Sequence, residues 1–292
     1  MSSVLYDIPG PVARRRAGVL SVVGGVAVLG LLYVAYRQLD TRGQWDADRW
    51  QVFWDPPLGQ TAGDVWRSMV VTGLGATLRA AAVAALIAAV IGLALATARM
   101  TQSPLIRVPT AVVIELFRGL PVVLLMFFGV IGLGLSFFQG VVFGLVVYNG
   151  AVIAEILRAG IVSLPKGQSE AAYAIGLSRA QTLFTILLPQ AIRRMAPALV
   201  SQAVVLLKDT SLGFIIAYAE LLRQIQTNTQ FFGQRHWFPF FVVGAAIYIA
   251  VNFTISRIAV WLERRGTKKA AGGVAAADQA EITGTRATGA EL

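Results

Sequence analysis

The sequence predicts an all-α polytopic membrane protein, because three of its features do not fit a water-soluble domain. Hydrophobic residues make up 56% of the chain and charged residues only 14%. The mean hydropathy is +0.67. Apolar runs of roughly 20 residues, the length that an α-helix needs to cross a bilayer, recur along most of the chain. A soluble fold of this size could not bury so much apolar side chain.

We predict six membrane-spanning helices from these runs. The first, residues 17–36, carries no charge and follows three consecutive arginines, Arg14 to Arg16. It lacks the small-residue cleavage pattern of a removable signal peptide. The second, residues 68–98, is interrupted only by Arg79. The remaining four predicted spans are residues 108–133, 141–164, 197–218 and 237–256.

The orientation follows from the lysines and arginines, which are retained in short loops on the cytoplasmic side. In the six-span arrangement these residues gather on one side, whereas five aspartates against two arginines lie in residues 40–64 on the other. Residues 1–16 are therefore predicted to be cytoplasmic and residues 37–67 extracytoplasmic. Residues 266–292, rich in small and polar residues, are predicted to be a disordered cytoplasmic tail, so that both termini are cytoplasmic.

The composition also excludes several classes of site. The net charge of +10 lies at helix ends, which favours membrane topology and contact with anionic lipid over nucleic acid. The chain has no cysteine and one histidine, His236, to which we assign no role; no metal site and no catalytic site are predicted. A G-x-x-x-x-G-K-[ST] phosphate loop is absent, so the chain is expected to bind no nucleotide.

One polar connection, residues 166–189 between the fourth and fifth predicted spans, differs from the other short loops. It is too polar to cross a membrane, yet its apolar residues recur at helical spacing. We expect Ser169 to cap a short helix, Gly176 to end it, and a second helical piece to end at Pro189. Such a compact cytoplasmic knob suits docking to a partner.

The same connection resembles the permease subunits of binding-protein-dependent ABC importers. Their hallmark is Glu-Ala-Ala, a glycine after three more residues, and Ile-x-Leu-Pro nine residues beyond. Every position is filled here, by Glu170, Ala171, Ala172, Gly176, Ile186, Leu188 and Pro189. Four further blocks resemble the polar amino acid branch of that family: ELFRGLP (115–121), AEILRAGIVSLPKGQ (154–168), LPQAIRR (188–194) and LKDTSL (207–212). Leu120 departs from the threonine common in that branch.

The resemblance implies a five-helix type I permease core, residues 68–265, with the first span as an additional helix. It also implies a bacterial inner-membrane location and partners that carry the other functions. Separate ATPase subunits would bind ATP, a second permease, identical or homologous, would complete the pathway, and an extracytoplasmic binding protein would deliver the substrate. The 166–189 connection would transmit ATPase closure to the helices. The whole chain is most similar to glutamate permeases, although glutamine, aspartate and basic amino acids stay open.

Polar and charged residues within the predicted spans are candidates for the substrate pathway, because such groups are costly in a bilayer. Arg118 pairs in sequence with Glu115, as Arg158 does with Glu155, and structural ion pairs are the favoured interpretation of both. Asn149 either lines the pathway or bonds to a neighbouring helix. Lys208 and Asp209 either bind the carboxylate and ammonium of an amino acid or lock helix packing. The candidate pathway residues are thus Arg118, Asn149, Lys208 and Asp209.

Three other functions were weighed against an ABC importer. An ion-gradient-driven secondary transporter is the main alternative, but the sequence shows no inverted repeat. A membrane enzyme would have to rely on carboxylates and hydroxyls. A non-transporting scaffold would need an ATPase partner with another task. A secondary transporter would also leave the hallmark in residues 166–189 unexplained.

Overall fold

The computed structural model describes residues 10–258 and 260–261, which form helices and no strand. The predicted disordered tail and residues 1–9 lie outside the described residues. The helices, each given one label along its continuous length, are α1 Pro11–Thr41, α2 Ala62–Arg99, α3 Pro104–Gly119, α4 Val122–Gly132, α5 Phe137–Val162, α6 Lys166–Ala174, α7 Arg179–Ile216, α8 Leu221–Phe232 and α9 Gln234–Ile258.

Five of these helices are long and apolar enough to cross a membrane within the described part of the chain: α1, α2, α5, α7 and α9. The pair α3 and α4 adds a sixth span if the two are counted as one. The all-α membrane fold predicted from the sequence is therefore confirmed, and its helices are longer than the apolar runs that predicted them.

The third predicted span, residues 108–133, is divided into two helices. Helices α3 and α4 meet at an angle of 102°. The chain breaks at Leu120, whose φ of −86° and ψ of 138° are extended. The cause is Pro121, which lacks an N–H and disfavours the α conformation of the residue before it. Only α4 continues toward the turn before α5.

Small residues hold α2 and α5 close together at the centre of the molecule. A Cβ on Gly92 of α2 would lie 2.6 Å from the Cγ2 of Ile153 in α5. Ala80, Ala84 and Ala88 of α2 are fully buried. Close helix approach through small residues is the usual basis of packing in membranes, since lipid supplies no hydrophobic driving force between helices.

The segment before α2 folds back onto one end of the core, the end that was predicted to be extracytoplasmic. Val52 and Phe53 are buried in one cluster with Met69 and Phe240. Trp50 donates its indole N–H to the carbonyl of Gln44, 3.0 Å away. The predicted loop is therefore a packed element and not a free connection.

Helix α1 behaves differently, because none of its residues is buried. Near its end, Tyr36 stacks on Trp45 of the folded segment at 5.8 Å between ring centroids. This apolar helix of 31 residues is thus presented to lipid or to another chain.

A network of five charged residues ties α2, α3 and α5 together. Arg99 of α2 lies 3.5 Å from Glu115 of α3 and 3.0 Å from Glu155 of α5. Each carboxylate also pairs within its own helix, Glu115 with Arg118 at 3.6 Å and Glu155 with Arg158 at 2.6 Å. The two predicted ion pairs are confirmed. From the sequence, Arg99 was only one of the arginines that predict the orientation. In the structure it is the residue that joins the two pairs.

Between α7 and α8 a buried carboxylate caps a helix. Glu220 accepts the backbone N–H groups of Leu222 at 2.9 Å and of Arg223 at 2.8 Å. Its side chain is fully buried, and this burial raises the pKa of Glu220 to about 7 against the lowering effect of the two N–H groups. The adjacent Tyr218 donates its hydroxyl to the carbonyl of Ala76, 2.9 Å away, so this turn is fastened to α2.

Removing the bridging arginine should destabilise the fold. In the variant Arg99→Gln, Glu115 and Glu155 lose their shared cation, which we expect to cost on the order of 1–3 kcal/mol, or a few degrees in apparent melting temperature in detergent. Arg107→Gln is the matched control, because Arg107 is exposed on α3 and forms no ion pair within the described residues. Equal shifts in both variants would contradict the bridging role.

The Glu220 carboxyl should make stability depend on pH. Its pKa of about 7 lies above the ordinary value of 4.5, so its contribution is full below pH 4.5 and is lost as the pH rises through 7. Between about pH 5 and about pH 8 we expect a loss on the order of 1–3 kcal/mol that Glu220→Gln abolishes. Glu170→Gln, which removes an exposed carboxylate, should keep the loss, as thermal unfolding would show.

Candidate coupling segment and substrate pathway

The segment at residues 166–189 consists of a short helix, a glycine turn and the first turns of a long helix. Helix α6 ends at Ala174, and Gly176 has a φ of +85°. A Cβ at Gly176 would meet no atom within 4 Å, so the backbone conformation alone favours glycine here. Ser178 then caps the next helix, with Gln181 completing a capping box.

Two details of the predicted knob are wrong. Ser169 does not cap α6, which begins three residues earlier at Lys166; its hydroxyl donates to the carbonyl of Lys166 at 2.8 Å. The second helical piece does not end at Pro189 but continues as α7 to Ile216. A wide π-helical turn, Thr182–Leu187, directly precedes Pro189 and accommodates a residue that lacks an N–H. The segment is thus continuous with a membrane-crossing helix.

The hallmark residues divide between two faces. Glu170, Ala171 and Gly176 are exposed, whereas Ala172 and Leu188 are buried. Ile175, beside the glycine turn, is 77% exposed. Ile186 is half-buried and Pro189 is exposed. The buried residues fix α6 against the start of α7, and the exposed ones form a surface with no partner in the described chain.

A cavity of about 630 Å³ lies beside this surface, between the start of α7 and the connection from α2 to α3. Its wall includes Tyr173 and Arg179, whose guanidinium lies 5.8 Å from the centre of the tyrosine ring. Phe184, also on the wall, is 53% exposed. Exposed aromatic side chains around a concave surface are typical of protein docking sites.

Lys208 and Asp209 lie where α7 changes from an α-helix to a tighter 3₁₀ turn, Thr210–Ile216. Lys208 is exposed and Asp209 half-buried, and neither side chain forms an ion pair or hydrogen bond within the described residues. The hydroxyl of Tyr248 in α9 donates to the backbone carbonyl of Lys208 at 2.9 Å, which fixes the backbone there. Two unpaired charges in a membrane-crossing helix indicate a face that borders water or protein.

Asn149 is fully buried and joins two helices. Its amide donates to the carbonyl of Leu145 at 2.8 Å, and its oxygen accepts from the Gln202 amide of α7 at 2.7 Å. Of the two interpretations left open, the bond between helices is the observed one. Gln202 was missed by sequence reasoning, although a second amide in an apolar run was a signal that could have found it.

The four candidate pathway residues do not form one cluster. Arg118 belongs to the charged network of α3, and Asn149 bonds within the core. Lys208 and Asp209 have no side-chain partner, and no hydrogen bond or ion pair joins any two of the four in the described chain. Of the four candidates, the unpaired charges therefore lie on α7.

Two curated relatives match most of their own length. The chain is 41% identical over 236 residues to the glutamate transport system permease protein GluD of Corynebacterium glutamicum, covering 78% of this chain and 83% of the relative. It is 40% identical over 201 residues to the probable glutamine ABC transporter permease protein GlnP of Bacillus subtilis, covering 67% and 92%.

Solved structures agree in fold. An amino acid ABC transporter crystallised with histidines has a TM-score of 0.61 at 30% identity, over 68% of this chain and 94% of that one. The MetNI methionine ABC transporter has a TM-score of 0.57 at 20% identity, which shows the fold alone. The family model described as "binding-protein-dependent transport system inner membrane component" matches residues 88–268. Since this match covers more than half of the chain, the protein belongs to that family of membrane-embedded permease components.

Proposed function

We propose that this chain is the permease subunit of an ABC importer for L-glutamate. The observation that carries the proposal is the 41% identity to a glutamate permease over 83% of that relative. Glutamine is the substrate named for the second relative, and it differs from glutamate by one amide. The exposed cation of Lys208 favours the acidic substrate, because it can balance the additional carboxylate.

Separate ATPase subunits that dock on the 166–189 segment would supply the energy for transport. Its exposed surface, with Glu170, Ala171 and the protruding Ile175, has no partner within the described chain. Because α6 packs against the start of α7, a displacement of α6 by a partner would shift that end of the membrane-crossing helix. The carboxylate of Glu170 would contact the ATPase directly, and Gly176 would keep the turn in shape.

The proposed pathway runs along the exposed face of α7. Lys208 would bind the additional carboxylate of glutamate and Asp209 its ammonium, because these groups match in charge. A second permease, identical or homologous, would close the pathway from the opposite side, since these charges would be costly against lipid. Asn149 would act through Gln202 and Arg118 through Glu115, both by positioning helices and not by contacting the substrate.

The proposed orientation places residues 1–16 and the chain's C-terminal end in the cytoplasm of a bacterium and residues 37–67 outside. It is supported by the charge distribution, with arginines before α1 and five aspartates in residues 40–64. An extracytoplasmic binding protein would then deliver the substrate to the outer end, and ATP would bind only to the partner subunits.

Reconstitution tests the whole proposal. The complete transporter, with its ATPase, its second permease and its binding protein, would be placed in proteoliposomes and supplied with labelled L-glutamate. We expect uptake that requires internal ATP and the binding protein, with glutamine as a weaker competitor. Uptake that follows an imposed ion gradient without ATP would instead support a secondary transporter.

Substitutions at the turn should separate coupling from folding. Gly176→Val should lower ATP-driven uptake at least tenfold, because a β-branched residue is strained at a φ of +85°. Gly176→Asn should retain most of the uptake, since asparagine tolerates positive φ. With no atom within 4 Å of the added Cβ, a steric clash does not explain the difference. Equal uptake in both variants at equal abundance would contradict the role of the turn.

Charge reversal on α6 should uncouple the ATPase. Glu170→Lys should reduce uptake at least tenfold, the effect of losing a contact worth about 2 kcal/mol at a docking interface. Asp40→Lys is the control, because it also exchanges an exposed carboxylate for an ammonium, at a position outside the 166–189 segment and the cavity beside it. Copurification of the ATPase and its turnover are the measurements. Undiminished uptake with Glu170→Lys would contradict the proposal that the ATPase docks on this segment.

Neutralising the cation of α7 should impair transport without unfolding the protein. Lys208→Gln should reduce glutamate uptake about tenfold, whereas Lys208→Arg retains part of it, because Lys208 is exposed and its loss leaves no buried charge unpaired. Ser201→Ala, at another exposed position of α7, serves as the control. If glutamine uptake fell as much as glutamate uptake, the charge of Lys208 would not be selecting the acidic substrate.

A further inference from the structure

A cavity at the outer end of the molecule is used by none of the functions above. It has a volume of about 340 Å³ and lies between the folded segment that precedes α2 and the first residues of α9. Its polar lining consists of Asp48, Gln51, Asp55, Arg235 and His236, and its apolar wall of Val52, Pro56 and Pro57. We call it the outer cavity.

His236 presents a free nitrogen to this cavity. Its side chain is only 4% exposed, and Nδ1 lies 2.8 Å from the carbonyl oxygen of Arg49. A carbonyl only accepts hydrogen bonds, so Nδ1 carries a proton, and in this tautomer Nε2 is the acceptor of the ring. No described residue donates a hydrogen bond to Nε2, and His236 lines the cavity. A hydrogen-bond donor that enters the cavity can therefore bind Nε2.

The carboxylates of the cavity leave a negative charge unbalanced. Asp48 pairs with Arg235, whereas Asp55 accepts only an uncharged hydrogen bond from Gln51 at 2.9 Å. Two carboxylates against one guanidinium give the lining a formal charge of one negative unit. Within the described residues no group of three or more His, Cys, Asp or Glu could hold a metal ion. The cavity therefore suits an organic cation that donates hydrogen bonds.

The walls of the cavity are held in place before any ligand arrives. Val52 is fully buried, and the ring of Trp50 lies edge-on to Phe238 of α9 with centroids 6.2 Å apart. The Arg235 pair and the bond from His236 join the same two elements. Fixing the groups beforehand lowers the entropy cost of binding.

We propose that the outer cavity is a socket for a lysine or arginine side chain of the extracytoplasmic binding protein. The inference rests on the proposed function and on the proposed orientation of residues 37–67. The surrounding surface supports a protein partner over a free small molecule, because residues 40–64 carry five aspartates and two arginines. A basic patch on the binding protein would face this acidic surface while one of its side chains enters the socket.

The test measures docking of the glutamate-loaded binding protein to the complete transporter in lipid nanodiscs. Asp55→Lys should weaken binding about tenfold and reduce the stimulation of ATP hydrolysis by the binding protein. Asp40→Lys is the matched control, because it reverses an exposed aspartate on the same side that does not line the cavity. His236→Asn keeps an N–H for the Arg49 carbonyl and removes Nε2, and it should weaken docking with unchanged thermal stability.

A reciprocal exchange identifies the partner. Lysines and arginines of the binding protein would be changed to glutamate one at a time, and one of these changes should restore docking to the Asp55→Lys transporter. Equal affinity for the wild-type, Asp55→Lys and His236→Asn transporters would overturn the socket and leave the importer intact. Loss of docking in the Asp40→Lys control as well would overturn the specific cavity in favour of diffuse charge. If the wild-type transporter showed no dependence on a binding protein, the proposed function itself would fail.

Discussion

A bilayer offers no hydrogen bonds to a polar side chain, and this constraint governs the arrangement of the polar groups in this molecule. Several such groups in the core are paired: Asn149 with Gln202 across two helices, and Glu155 with both Arg99 and Arg158. Where they are unpaired, as at Lys208 and Asp209, they lie on a face of α7 that is not fully covered. The pairing thus separates groups that hold the fold from groups available to a substrate.

The break at Leu120 and Pro121 is connected to the charged network. The chain bends by 102° between α3 and α4, and the carboxylate of Glu115 in α3 pairs with Arg99 at the end of α2. The proline therefore sets the direction of α3, and Arg99 fastens it. The functional proposals rest on groups outside this network, on α6, on the exposed face of α7 and in the outer cavity.

Both proposed docking surfaces lie on elements that are joined to the helix bundle by backbone or by packing. Helix α6 leads through the turn at Gly176 into α7 and packs against its π-helical turn. The outer cavity is built partly on the start of α9, which packs against α8 through Gly244 and Ile225. Partners on opposite ends of the molecule would consequently act on the same helix bundle, which is the physical requirement for coupling between two sites.

The sequence by itself determined the membrane class, the order of the apolar segments and the hallmark in residues 166–189, because these depend on local composition and spacing. It also predicted the pairs Glu115 with Arg118 and Glu155 with Arg158, which are one helical turn apart. Only the tertiary structure showed that Arg99 joins those pairs, that Asn149 bonds to Gln202, and that His236 lines a cavity with Asp55. Each of these contacts joins residues more than 10 positions apart. Periodicity along one helix does not specify which faces of different helices meet. The close packing of the helices in the folded protein specifies those faces.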